Sequence, residues 1–179
     1  MDEKPEELNT QAITLAAHGE YPEAIACLKK AIILDKTNYL LWYNLGITYR
    51  DAGDTEHAQF ALKQAYELNS EDEQVIETLA NLYITAGETE QAMLYCMAGL
   101  EVNNLNAHMW NSTGVLLFSQ GEYQDASEAF EQAVTLDPHY YDALYNLRDT
   151  YEQLGNAAGA QECQNKMNSL ATEGDNYYA

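Results

Sequence analysis

Apolar residues recur along this 179-residue chain at helical spacing, three and four positions apart, in one stretch after another. Trp42, Leu45 and Tyr49 form one stripe and Ile76, Leu79 and Tyr83 a second. Ala58, Ala61, Leu62, Ala65 and Leu68 form a third. Positions at that spacing lie on one side of an α-helix, so each stretch predicts a helix with one buried face. No segment alternates apolar and polar residues as a half-buried strand does. The pattern predicts an all-α chain.

The stripes are interrupted at a fixed interval. Gly19, Gly53, Gly87, Gly121 and Gly155 follow one another every 34 residues, and Ala24, Ala58, Ala92, Ala126 and Ala160 keep the same step. A third register runs Ala31, Ala65, Gly99, Ala133 and Met167. An interval held in several registers is an internal repeat. In each unit the glycine suits the left-handed position that ends a first helix. Pro22 fits the first turn of the helix that follows, where its missing N–H costs nothing. Pro138 marks a stop between units.

These residues resemble the tetratricopeptide repeat family, a 34-residue helix–turn–helix with the pattern W-x2-L-G-x2-Y, then A, an aromatic, A and P. Trp42, Leu45, Gly46 and Tyr49 match its first part, and Trp110, Gly114 and Leu117 match with Thr113 in place of the leucine. Ala126, Phe130, Ala133 and Pro138 supply the second part. The resemblance implies a right-handed α-solenoid of five repeats, at 5–38, 39–72, 73–106, 107–140 and 141–170, the last a cap. A leader, 1–4, and a flexible tail, 171–179, flank them. Gly46 stands in a helix interior, where it costs roughly 0.5–1 kcal/mol against alanine. Its equivalents Ala12, Ala80 and Gly114 are also small, so the two helices of a unit are expected to cross there, against the alanine register of the second helix. Arg148 at that place, and Gln164 on the second helix, break the pattern in the fifth repeat.

In this family the first helices line a concave groove that holds an extended or helical peptide. Opposite the core stripe, the resemblance places Asn9, Thr10, Ile13, Tyr43, Asn44, Ile47, Arg50, Thr78, Asn81 and Ile84 in that groove. From the last two repeats it adds His108, Asn111, Ser112, Val115, Phe118, Tyr145, Asn146 and Asp149. Thr10, Asn44, Thr78, Ser112 and Asn146 share one register and all carry a hydroxyl or an amide, a ladder suited to a peptide backbone. Tyr43, Ile47, Ile84, Val115 and Phe118 add an apolar strip suited to anchor side chains. Relatives that hold chaperone C-terminal tails grip two carboxylates with lysines, an arginine and asparagines. The corresponding positions here are Asn9, Ile13, Asn44, Gln74 and Thr78, of which only Asn44 matches.

Charge narrows the partner. The chain has 29 acidic against 8 basic residues, a formal charge of −21. Nucleic acid and anionic membranes require clustered Lys and Arg, so neither is expected. The expected partner is a protein or peptide segment, apolar and neutral to basic, and not an acidic chaperone tail. The alternative is a self-associating component using its groove, tail or convex face, as a monomer or weak homo-oligomer. His18, His57, His108 and His139 are scattered, and no HExxH, phosphate loop or G-x-S-x-G occurs. No enzyme, metal or cofactor is expected. Cys27, Cys96 and Cys163 are odd in number and widely spaced, as in a reducing compartment. With no signal pattern or run of about 20 apolar residues, a cytoplasmic location is expected.

Overall fold

Helices occupy nearly all of the computed structural model, which describes the backbone of residues 3–175 and the side chains of residues 3–171. They fall in two compact units, Met1–Glu88 and Thr89–Ala179. The first holds α1 (Pro5–Ala17), α2 (Tyr21–Leu34), α3 (Tyr39–Asp51), α4 (Thr55–Leu68) and α5 (Glu73–Ala86). The second holds α6 (Thr89–Val102), α7 (Ala107–Ser119), α8 (Tyr123–Leu136), α9 (Tyr141–Gln153) and α10 (Ala157–Asp175). There is no strand among the described residues. The fold is the all-α array of helix–turn–helix repeats that the 34-residue interval predicts. The division between units falls between α5 and α6, inside the stretch 73–106 that the sequence assigns to one repeat.

Within the first unit each helix packs on the next, and α1 also touches α3. Within the second, α6 to α10 pack in series and α7 touches α9. The turn glycines act as the interval predicts. Gly19, Gly53, Gly87, Gly121 and Gly155 have φ between 72° and 82°, the left-handed region open to a residue without Cβ. The next N–H then reaches back five residues, as from Asp54 to Tyr49 at 2.9 Å and from Asn156 to Tyr151 at 2.8 Å. That contact closes the last turn of the first helix. Helix starts are capped by side chains at Asn38, Asp54, Asp72 and Asn106.

The structure corrects the partner of the small residues inside the first helices. A Cβ on Gly46 would stand 2.5 Å from Leu62 Cγ, and one on Gly114 2.5 Å from Phe130 Cε1. The close approach is therefore to the bulky residue four positions past each alanine, not to the alanine register itself. Ala58, Ala65, Ala126 and Ala133 are fully buried nonetheless. In the fifth repeat both members of this pair change together. Arg148 donates to Gln164 Oε1 at 3.0 Å, so a polar contact replaces glycine against leucine or phenylalanine.

Other expectations shift in detail. The tryptophans are half-buried rather than central: Trp42 Nε1 donates to the Lys36 carbonyl at 3.1 Å and Trp110 Nε1 to that of Asn104 at 2.8 Å. Each indole thereby ties its helix to the preceding turn. Cys96 and Cys163 are buried, Cys27 is half-buried, and all three are free thiols. Helix α10 passes residue 170 and runs to Asp175, with no glycine or proline between Ala160 and Glu173 to stop it. The rest of the expected tail lies outside the described residues, as do residues 1 and 2 of the expected leader.

Candidate functional site

In the first unit the expected face is built by α1, α3 and α5. Asn44 Nδ2 donates to Asn9 Oδ1 at 2.8 Å, joining α3 to α1. Tyr43 and Thr78 approach hydroxyl to hydroxyl at 3.4 Å, joining α3 to α5. Thr10 and Thr78 also return their hydroxyls to their own helices, to the carbonyls of Glu6 and Gln74 at 2.9 and 2.7 Å. The ladder is thus partly engaged within the chain. One bond still leaves an asparagine amide with further donor and acceptor capacity. Ile13 is 52% exposed, while Ile47 and Ile84 are half-buried and Asn81 is exposed. Arg50 is not an open cation: its guanidinium meets Asp51 Oδ1 at 2.8 Å.

The second unit repeats this construction on α7 and α9. Asn146 Nδ2 donates to Asn111 Oδ1 at 3.0 Å, at the same spacing of 35 residues as the Asn9–Asn44 pair. Asn111 is 9% exposed, and its own amide donates to the Tyr140 hydroxyl at 3.4 Å. His108 Nδ1 lies 3.1 Å from the same hydroxyl, and the two rings sit 4.7 Å apart. Ser112 is buried. Beside this network Val115, Phe118, Phe130, Asn146 and Asp149 line a recess of about 100 Å³. Four of those five were expected from the sequence. Asp149 is held by Arg148 Nη2 at 2.6 Å, a bond that raises the guanidinium pKa and offsets the carboxylate. Arg148 also lies 4.3 Å over the ring of Tyr145, an exposed aromatic.

Two residues of this candidate site were not expected from the sequence. Phe130 belongs to the core cluster with Ala126, Leu147 and Cys163, yet one side of it lines the recess. Tyr140 occupies the register of the capping residues Asn38, Asp72 and Asn106 but caps nothing with its side chain. That departure was the available signal. The recess is apolar along Val115, Phe118 and Phe130 and polar at Asn146 and Asp149. Among the described residues no group of three or more His, Cys, Asp or Glu side chains is placed to hold a metal ion. No helix among them is long and apolar enough to cross a membrane.

Repeats of two helices at a 34-residue interval, each first helix closed on a left-handed glycine and two of them crossing glycine against a bulky side chain, define a tetratricopeptide array. The family model described as tetratricopeptide repeat matches residues 49–113 and 117–178, and a second, described as TPR repeat, matches residues 14–53. The chain belongs to this family. Among solved structures it is similar to the crystal structure of MamA, at 23% identity, covering 93% of this chain and 97% of that one with a TM-score of 0.86. MamA 41-end from Desulfovibrio magneticus RS-1 matches at 18% identity over 97% and 98% of the two chains, also with a TM-score of 0.86. YrrB, described as a TPR protein with an unusual peptide-binding site, matches at 22% identity over 92% and 84%, with a TM-score of 0.76. No curated protein matches the chain. With 393 solved chains matching, the fold by itself selects no function.

Proposed function

We propose that the chain is a non-catalytic protein-interaction module that holds a peptide segment on its first-helix face. The observation that carries this reading is the recess between α7 and α9. Val115 and Phe118 supply an apolar seat there, and Asn146 stands beside it to bond a peptide backbone. YrrB, of the same fold, is described as having a peptide-binding site, which supports peptide recognition as a use of this architecture. The segment is apolar and neutral to basic. Among the described residues the cations of the face, Arg50 and Arg148, each pair with a neighbouring aspartate, which weakens their pull on a pair of carboxylates. An acidic chaperone tail is therefore disfavoured. A cytoplasmic location and the absence of enzymatic activity belong to the same proposal.

The test is capture of partners from lysate by the intact protein and by two variants, Val115→Glu in the recess and Phe60→Glu on the side of α4. A partner that Val115→Glu loses and Phe60→Glu keeps, with melting unchanged in both, assigns the recess. A partner kept equally by all three removes the first-helix face as its site.

A further inference from the structure

A second concavity lies in the first unit, lined by α2, α3 and α4, with a volume of about 410 Å³. That is within the range of about 300–1,000 Å³ spanned by ligand sites. Its walls are Ile33, Trp42, Tyr49 and Phe60, with Lys29 and His57 as its ionisable lining and no carboxylate in it. Trp42 and Phe60 meet edge to face at 6.2 Å, and the Tyr49 and His57 rings stack at 5.0 Å. Lys29 Nζ sits 5.5 Å over the Tyr49 ring, and Asp54 holds His57 Nδ1 at 2.8 Å. Ile33 is 70% exposed and Phe60 58%.

The repeat supplies its own control. At the register of Ile33 the other repeats carry Glu67, Glu101, Thr135 and Ser169. At that of Phe60 they carry Ala26, Leu94, Glu128 and Glu162. The fold therefore does not require apolar side chains at these two places, and exposing both is unfavourable unless something covers them. The corresponding set two repeats later replaces Ile33, His57 and Phe60 by Glu101, Asp125 and Glu128. In a chain with 29 acidic residues, no carboxylate lines this groove, and Asp54 reaches it only through His57.

We propose that this groove binds residues 172–179 of a second copy of the chain. That segment, Thr-Glu-Gly-Asp-Asn-Tyr-Tyr-Ala, is complementary in both respects. Tyr177 and Tyr178 supply adjacent aromatic anchors for the Trp42–Phe60 wall, and Glu173 and Asp175 supply carboxylates for Lys29. The acidic register of Glu101, Asp125 and Glu128 repels the same segment, so the complement is directional. The contact is heterologous, groove to tail, and adds copies in series rather than closing a dimer.

Sedimentation equilibrium of the full chain, from about 10 µM to about 1 mM, tests it. The apparent mass is expected to rise with concentration. Phe60→Glu and, separately, Tyr177→Ala/Tyr178→Ala are expected to weaken association by at least about tenfold. In dilute, dissociated protein Phe60→Glu is expected to leave the thermal midpoint in place, since glutamate already occupies that register at Glu128 and Glu162. Mixing the two variants restores one good contact, groove from one and tail from the other, and is expected to yield dimers and nothing larger. A chain that stays monomeric throughout, because the groove is empty or filled by its own tail, overturns the proposal. So does association that survives either variant, which points to another surface or another occupant. The recess between α7 and α9 is untouched by these changes, so its peptide binding stands or falls separately.

Discussion

Gly114→Ala tests the close packing seen at the helix crossings of Gly46 and Gly114. On helix propensity alone the change stabilises by about 1 kcal/mol. The structure opposes this, because the added Cβ would lie 2.5, 2.7 and 2.8 Å from Phe130 Cε1, Cδ1 and Cζ. All three atoms belong to one rigid ring, 1% exposed and wedged among Ala126, Leu147 and Cys163, so it cannot swing aside as a flexible side chain would. Overpacking of this kind costs about 1–3 kcal/mol. The net expectation is a loss of up to about 2 kcal/mol, a fall in melting temperature of up to roughly 8 °C for a chain of this size. Circular dichroism melts and urea titrations measure it. The companion variant Gly114→Ala/Phe130→Leu recreates the pairing that the first repeat already uses at the same registers, Ala12 with Leu28. It is expected to be less destabilised than the sum of its two single changes by about 1 kcal/mol. A Gly114→Ala protein more stable than the parent would refute the argument, since propensity would then outweigh the crossing.

Other consequences can be measured as directly. Asn111→Ala removes the acceptor of Asn146 and a donor to Tyr140 at a buried site, and is expected to lower stability by about 1–3 kcal/mol in urea titration. A neutral result would mean that water replaces both contacts. Burial pushes the Cys96 thiol up to about 11 and raises that of Cys163. In the native protein at pH 8 a thiol reagent is therefore expected to label Cys27 first, with Cys96 and Cys163 reacting only on unfolding. Rapid native labelling of Cys96 would contradict its burial. The same shift carries a pH dependence. An acidic group whose folded pKa is raised binds its proton more tightly in the native state, so its contribution is present below the unfolded thiol pKa of about 8.5 and lost as pH rises toward 11. The urea midpoint should fall between pH 8.5 and 11, and Cys96→Ala should flatten that fall. An equal slope in the variant would assign the loss to Cys163, Tyr39 and Tyr151, whose pKa values are also raised, that of Tyr39 chiefly by its bond to Asp72 and those of Cys163 and Tyr151 chiefly by burial.

The sequence by itself determined what is local and periodic. A glycine recurring every 34 residues ahead of a fixed alanine specifies a left-handed turn and a buried helix face, and both depend on neighbours a few positions away. Fold class, family and the sides of α7 and α9 that hold Val115, Phe118, Asn146 and Asp149 were legible for that reason. What faces what was decided only in three dimensions. That Gly46 and Gly114 admit Leu62 and Phe130 rather than an alanine depends on where two helices cross. That Asn44 meets Asn9, and Asn146 meets Asn111, depends on how far one repeat is offset against the next. Periodicity marks Arg148 and Gln164, and Tyr140 at a capping register, as departures, but it cannot show that Arg148 bonds Gln164 or that Tyr140 meets His108 and Asn111. The groove of Ile33 and Phe60 was missed for a related reason. Each side chain continues a plausible helical stripe on its own, and only the packing of α2, α3 and α4 leaves both uncovered around one cavity.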